Sequence, residues 1–195
     1  MSEFWIYIKA GIHHILDITA YNHVFFLVAL MIPYVFKDWK RVFILVSLLT
    51  IGNALALILS VYNIVTVNSV SVSFLKIITI LLIAFYALNT AGKTIKSSVH
   101  VSFIGFITLF FGMLHGFEFS SYFKTILPKN ATEKLIPSLE IALGIEVAQI
   151  LIAFIILILS YIVQTFFKYS KKDWALIMAA FVIGVMLHTI IERKI

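Results

Sequence analysis

The sequence predicts an all-α fold: a polytopic membrane helix bundle of about six transmembrane helices, preceded by an N-terminal amphipathic helix. Three observations predict it. Of 195 residues, 62% are hydrophobic and only 12% are charged, about half the charged fraction usual for a soluble domain. Mean hydropathy is +1.08, which is more apolar surface than a water-soluble fold of this size can hide. The apolar residues also fall into separate runs, each near the ~20 residues that a membrane helix needs. Disorder is excluded by the 18 Phe and 8 Tyr, because a disordered chain is poor in such residues. A nucleic-acid reader is excluded because the formal charge of +6 lies in short clusters between apolar runs, not in one basic stripe.

The elements follow in order. Within Glu3–His14, and running into the first span, Phe4, Trp5, Ile8, Ile12, Ile15 and Leu16 recur at helical spacing. This segment reads as an amphipathic surface helix or an extension of the first span. Six spans are expected at Ile15–Phe36, Arg41–Tyr62, Val72–Thr90, Val99–Phe117, Leu135–Phe167 and Trp174–Ile191. The fifth exceeds a simple crossing, so it tilts or projects from the bilayer. The one long connection is Glu118–Lys134. All 195 residues form a single integral membrane domain in this reading. Compact basic loops after spans one, three and five, holding Lys37, Lys40, Arg41, Lys93, Lys96, Lys168, Lys171 and Lys172, place both termini outside by the positive-inside rule. The other side carries Lys9, Lys76, Lys124, Lys129, Lys134, Arg193 and Lys194. The opening Met-Ser-Glu-Phe-Trp lacks a basic stretch and a small-residue cleavage site, so no cleavable signal peptide is expected.

Cysteine is absent. That removes disulfides, thiolate nucleophiles, iron–sulfur clusters and Cys-type zinc sites. A metal ion would be held by His, carboxylate, amide or Met. Ionisable groups inside hydrocarbon cost several kcal/mol and default to function. Those here are His14, Asp17 and His23 around the first span, His115 and Glu118 in or near the fourth, and Glu140 and Glu146 in the fifth, joined by the amides Asn22, Asn53 and Gln149. At 1.5 Å per residue, Asn22 and His23 lie roughly 10–12 Å below the outer surface, Asn53 about 14 Å, Glu140 about 8 Å and Glu146 about 17 Å. The group therefore collects in one half of the bilayer, as a single polar site entered from one face requires.

Several members also have plain structural readings. Asp17 is placed to cap a helix at Ile18. His23 alone suits a hydrogen-bonded interior histidine. Gly112 and Gly116 read as a small-residue packing face that brings His115 near a neighbouring helix. Glu118 and Glu140 suit the headgroup level. Glu146 shares a face with Gln149 and is the hardest to explain structurally. His13 reads as a surface residue. Imidazole with carboxylate and amide oxygen suits borderline divalent ions such as Ni²⁺, Co²⁺ and Zn²⁺. The same groups also serve proton relays, and His23 with His115 suits a b-type haem. Neither His-Glu-x-x-His nor Gly-x-Ser-x-Gly is present, so an enzyme is not expected.

The ordered motifs resemble the HupE/UreJ family. They are Gly11-Ile-His-His14-Ile-Leu-Asp17, Ala20-Tyr-Asn-His23-Val-Phe-Phe, Phe36-Lys-Asp-Trp-Lys-Arg41, Thr50-Ile-Gly-Asn53, Phe111-Gly-Met-Leu-His115-Gly-Phe-Glu118-Phe119 and Leu139-Glu140 through Glu146-Val-Ala-Gln149. The resemblance implies a multi-pass protein of the bacterial cytoplasmic (inner) membrane that acts as a secondary permease for a divalent metal, nickel above all. Its implied partners are the lipid bilayer, the ion and metalloenzyme maturation proteins. No cofactor is required beyond a possible bound divalent metal. The resemblance implies metal roles for His14, Asp17, His23, His115 and Glu146, with Gln149 in support; the depth of the polar residues adds Asn22 to the metal set and Asn53, Glu118 and Glu140 to the support. The chain departs from the family pattern where Asn22 replaces Asp, Asn53-Ala54 replaces His followed by Ser or Thr, and His115-Gly-Phe-Glu118-Phe119 replaces His-Gly-x-Gly-Phe. These departures carry the alternative: an accessory or scaffold protein that no longer transports.

Overall fold

The computed structural model describes residues 3–17, 21–92, 98–128 and 133–192. Seven α-helices make up the fold, with no strand among the described residues: α1 (Glu3–Leu16), α2 (Asn22–Met31), α3 (Trp39–Val61), α4 (Ser69–Thr90), α5 (Ser98–Ile126), α6 (Leu135–Thr165) and α7 (Lys171–Glu192). A 3₁₀ turn at Phe36–Asp38 leads into α3. The last five helices are long and apolar enough to cross a membrane, so the predicted fold class holds.

The first predicted span differs. Ile15–Phe36 is not one helix: α1 ends at Leu16, α2 starts at Asn22, and α2 stops at Met31. Pro33, without an N–H and with a fixed φ, explains the second break, because it cannot continue a helix. At 1.5 Å per residue, α1 is about 21 Å long and α2 about 15 Å. Neither matches a ~30 Å hydrocarbon core. The cap expected of Asp17 at Ile18 lies outside the described residues.

The N-terminal segment also differs in which face it buries. Its inward stripe is Tyr7, Ile8, Gly11, His14 and Ile15. Phe4, Trp5 and Leu16 point outward. The inward face thus joins small Gly11 and polar His14 to the apolar Tyr7, Ile8 and Ile15, while the outward face mixes Phe4, Trp5 and Leu16 with Glu3, Lys9 and His13. That inward face seats α1 on α6, where a Cβ on Gly11 would overlap the Ile141 carbonyl and one on Gly144 would overlap that of Ile8. The order of these contacts makes α1 and α6 antiparallel.

The principal pairing is α3 with α5. These helices run parallel, with backbone against backbone. A Cβ on Gly52 would overlap the Leu109 carbonyl, and one on Gly112 that of Leu49. Ser60 donates to Ser120 at 2.7 Å farther along the same contact. The turn after α3 places Asn63 at φ 55°, a left-handed conformation that Asn tolerates, and Lys124 of α5 donates to its side chain at 3.0 Å. The helix α7 opens with a reciprocal cap, in which Ser170 N–H donates to Asp173 and Asp173 N–H donates to Ser170 Oγ, both at 3.1 Å. Outward positions such as Ile44, Phe106, Ile136 and Phe154 are exposed, as expected of a lipid-facing surface. At 31 residues, α6 is about 46 Å long, which accounts for its excess over a simple crossing.

The packing at the glycines gives a test. Gly112→Ala should cost on the order of 1–3 kcal/mol, because the Leu49 backbone cannot yield. Gly184→Ala adds a methyl with nothing within 4 Å and should be neutral or gain up to about 1 kcal/mol of helix propensity. Thermal melts of the two variants in detergent distinguish them.

Candidate functional site

The helix α5 carries two stripes. Gly112 and Gly116 face α3. Phe111, His115, Phe119 and Phe123 recur every four residues on another face, as one stripe of a 3.6-residue helix must. This second stripe meets the ends of α1 and α2. His115 and His23 are buried, with ring centroids 4.1 Å apart. His14, also buried, lies 4.9 Å from His23. Three imidazoles from three helices thus form a contiguous run. Phe119 packs against its outer end, 3.4 Å from the His14 ring and 5.1 Å from that of His23. At the inner end Phe26 stacks on Phe111 at 3.4 Å, and Phe111 lies 4.2 Å from His115.

The break between α1 and α2 is what makes this possible. His14 sits in the last turn of α1 and His23 is the second residue of α2, so a reversal of the chain brings together two residues nine apart. Several polar atoms in this run are buried without a hydrogen-bond partner among the described residues. They are His14 Nε2, His23 Nε2, both ring nitrogens of His115 and the Asn22 side-chain oxygen. Each such group costs about 1–3 kcal/mol, and native proteins seldom keep several together without a reason. A neutral imidazole offers one lone pair to a cation. A cleft of about 310 Å³ lies against the run, lined by Ala10, His13, His14, Asp17, Phe119 and Tyr122. His13, expected at the surface, is exposed and forms part of this rim.

The remaining predicted residues fall in five places. Asp17, half-buried after the end of α1, lines the cleft. Glu146 and Gln149 join α6 to α3: Ser47 donates to Glu146 at 2.7 Å and Thr50 to Gln149 at 3.0 Å. Asn53 is buried at the α3–α5 crossing, where its backbone and side-chain oxygens crowd Gly116. Glu140 is half-buried on α6, within electrostatic reach of Tyr7 on α1. Glu118 was expected to open a long connection. It lies instead inside α5, which continues to Ile126. Ser73 donates to it at 2.5 Å and Lys76 forms an ion pair with it. Among the described residues, no group of three or more His, Asp or Glu side chains is arranged so that it could hold a metal ion.

Sequence reasoning missed Lys76. It was counted only with the charges of one membrane side, but it lies buried inside α4, with 2% of its surface exposed. Its ammonium stands 5.6 Å from the centre of the Phe119 ring, the same ring that packs on His14. The available signal was positional: Lys76 falls within the apolar run Val72–Thr90, and a carboxylate in the neighbouring run needs a counter-charge. Tyr122 and Phe119, which line the cleft, carry no sequence signal beyond their spacing from His115.

Comparison with curated proteins and with solved structures gave no match. The family model described as HupE / UreJ protein matches residues 1–193, essentially the whole chain, including all three histidines and the five helices of spanning length. This multi-pass membrane protein therefore belongs to the HupE/UreJ family.

Proposed function

We propose that the chain is a secondary permease for a divalent metal ion, nickel by family, in a bacterial cytoplasmic membrane. One observation carries this reading: the run of three buried imidazoles with unmet ring nitrogens, lying beneath the cleft. The ion enters at His13, Asp17 and His14, then passes to His23 and His115. Imidazole nitrogen suits Ni²⁺, Co²⁺ and Zn²⁺ alike. The two short helices resemble the broken helices that line transporter sites, and the C-terminal end of α1, on the cleft side, carries the negative pole of its dipole. Separated ligands suit a carrier, since an ion held by a closed ligand set is slow to leave. Asn22 contributes an amide oxygen beside His23. Glu146 lies farther along α6 and, in this reading, exchanges the Ser47 hydroxyl for the passing ion. Asn53, Glu140 and Gln149 hold the surrounding helices in register. Metalloenzyme maturation proteins are the partners this role implies.

A second reading, an accessory protein that does not transport, is favoured by a different observation. Asn22 brings no charge, and the carboxylate nearest to His115 in sequence, Glu118, is already paired with Lys76.

Ni²⁺ uptake into proteoliposomes tests the first reading. Wild type should exceed empty liposomes, and His23→Ala and His115→Ala should lower the flux more than tenfold, as should Glu146→Gln. Equal flux from wild type and empty liposomes would end the permease reading. The accessory reading predicts instead that Ni²⁺ binding, absent in wild type, appears in the double variant Asn22→Asp/Asn53→His; tight binding by wild type, measured by equilibrium dialysis, would rule it out.

A further inference from the structure

We propose that Lys76 is a resident cation of the histidine site, and that Glu118 is the charged ligand a divalent ion takes over when it displaces the Lys76 ammonium. This rests on the metal-binding reading of the site. The structural basis is the position of the pair. Lys76 is buried in α4 and bound to Glu118 across the α4–α5 contact, with Ser73 donating to the other carboxylate oxygen at 2.5 Å. Glu118 is one helical turn beyond His115 on α5, so carboxylate and imidazole stand three residues apart, within reach of one another along a helix. Phe119 connects the two groups: the ammonium lies 5.6 Å from its ring, and His14 lies against the same ring. The Lys76 charge is within electrostatic reach of all three histidines.

The charges then set the behaviour. Three neutral imidazoles attract a cation only through lone pairs. Two carboxylates lie beside them: Asp17 lines the cleft with His14, and Glu118 is neutralised by a lysine of the same chain. A divalent ion placed beside that ammonium is repelled, and the repulsion is weakly screened in a buried site. Binding therefore requires the ammonium to leave Glu118, which frees a carboxylate for the ion. The lysine acts as a tethered competitor: it keeps the site charge-balanced when no ion is present and lowers the affinity for an ion that must later be released.

The test measures Ni²⁺ affinity of the purified full chain in detergent by equilibrium dialysis. Lys76→Met should bind Ni²⁺ at least tenfold more tightly than wild type. Lys76→Arg, which keeps both charge and pair, should bind like wild type. The double variant Lys76→Met/Glu118→Gln should lose the gain. Unchanged or weaker binding by a folded Lys76→Met, or a gain that survives loss of Glu118, overturns the proposal. If Lys76→Met does not fold, Glu118→Gln decides: it leaves the ammonium in place and removes the ligand, so it should bind at least tenfold more weakly. Binding equal to or tighter than wild type overturns the proposal. Flux separates this inference from the permease reading. Wild-type uptake with no affinity gain in Lys76→Met defeats only the resident cation. A Glu118-dependent gain in a protein that never carries Ni²⁺ defeats only the permease.

Discussion

Backbone contact at glycine is the constraint on which the rest of this structure depends. In lipid, apolar side chains gain nothing by leaving one apolar surface for another, so helices associate through close packing and a few polar contacts. Gly52 and Gly112 let α3 and α5 touch main chain to main chain, and Gly11 and Gly144 do the same for α1 and α6. The first contact fixes the rotation of α5. With Gly112 and Gly116 turned to α3, His115 and Phe119 must face α1 and α2, and Glu118 must face α4. The second contact fixes α1 against α6 and delivers His14 to the same place. A half-length helix has little surface with which to hold itself, and without the glycine seat His14 would have no defined position.

Within that frame the polar residues divide by how their needs are met. Glu146 and Gln149 are answered by hydroxyls of α3, and these bonds join helices. Glu118 is answered by a hydroxyl and an ammonium of α4. Four imidazole nitrogens at the centre, His14 Nε2, His23 Nε2 and both of His115, are not answered among the described residues, and away from them Trp174 Nε1 stands alone in α7. Polar side chains that are satisfied work as interhelical ties, and those left unsatisfied are what a bound species would use. The contrast sets the histidine run apart from the other intramembrane polar groups more clearly than depth or residue type does.

Much of the fold was legible in the sequence. The five spanning helices follow from runs of apolar residues, which is a composition signal that tertiary packing does not override. The small-residue spacing of Gly112 and Gly116 indicated a close helix contact with His115 beside it. What was not legible has physical causes. An apolar run does not reveal a break that leaves both halves apolar, so the end of α1 at Leu16 passed unnoticed, though Pro33 was a visible stop. The N-terminal apolar stripe is split: Ile8 and Ile15 turn inward and Phe4, Trp5 and Leu16 outward, because the seat of Gly11 on α6 sets the rotation of α1. The end of α5 was set at the first acid, Glu118, because an unpaired charge there would be costly. The pairing that removes this cost is with a lysine 42 residues earlier, and sequence spacing alone does not disclose it.

The shortness of α2 bears on how the protein is made. At about 15 Å it cannot cross hydrocarbon alone, and its ten residues contact α4, α6 and α7, all of which are synthesised later. The segment that emerges early therefore reaches its final depth late, once its receiving helices have been inserted. His23 arrives with it, so the three histidines meet only when the chain is nearly complete. A chain that ends before α5 lacks His115, so a ribosome-bound fragment of that length holds no assembled run of the three imidazoles.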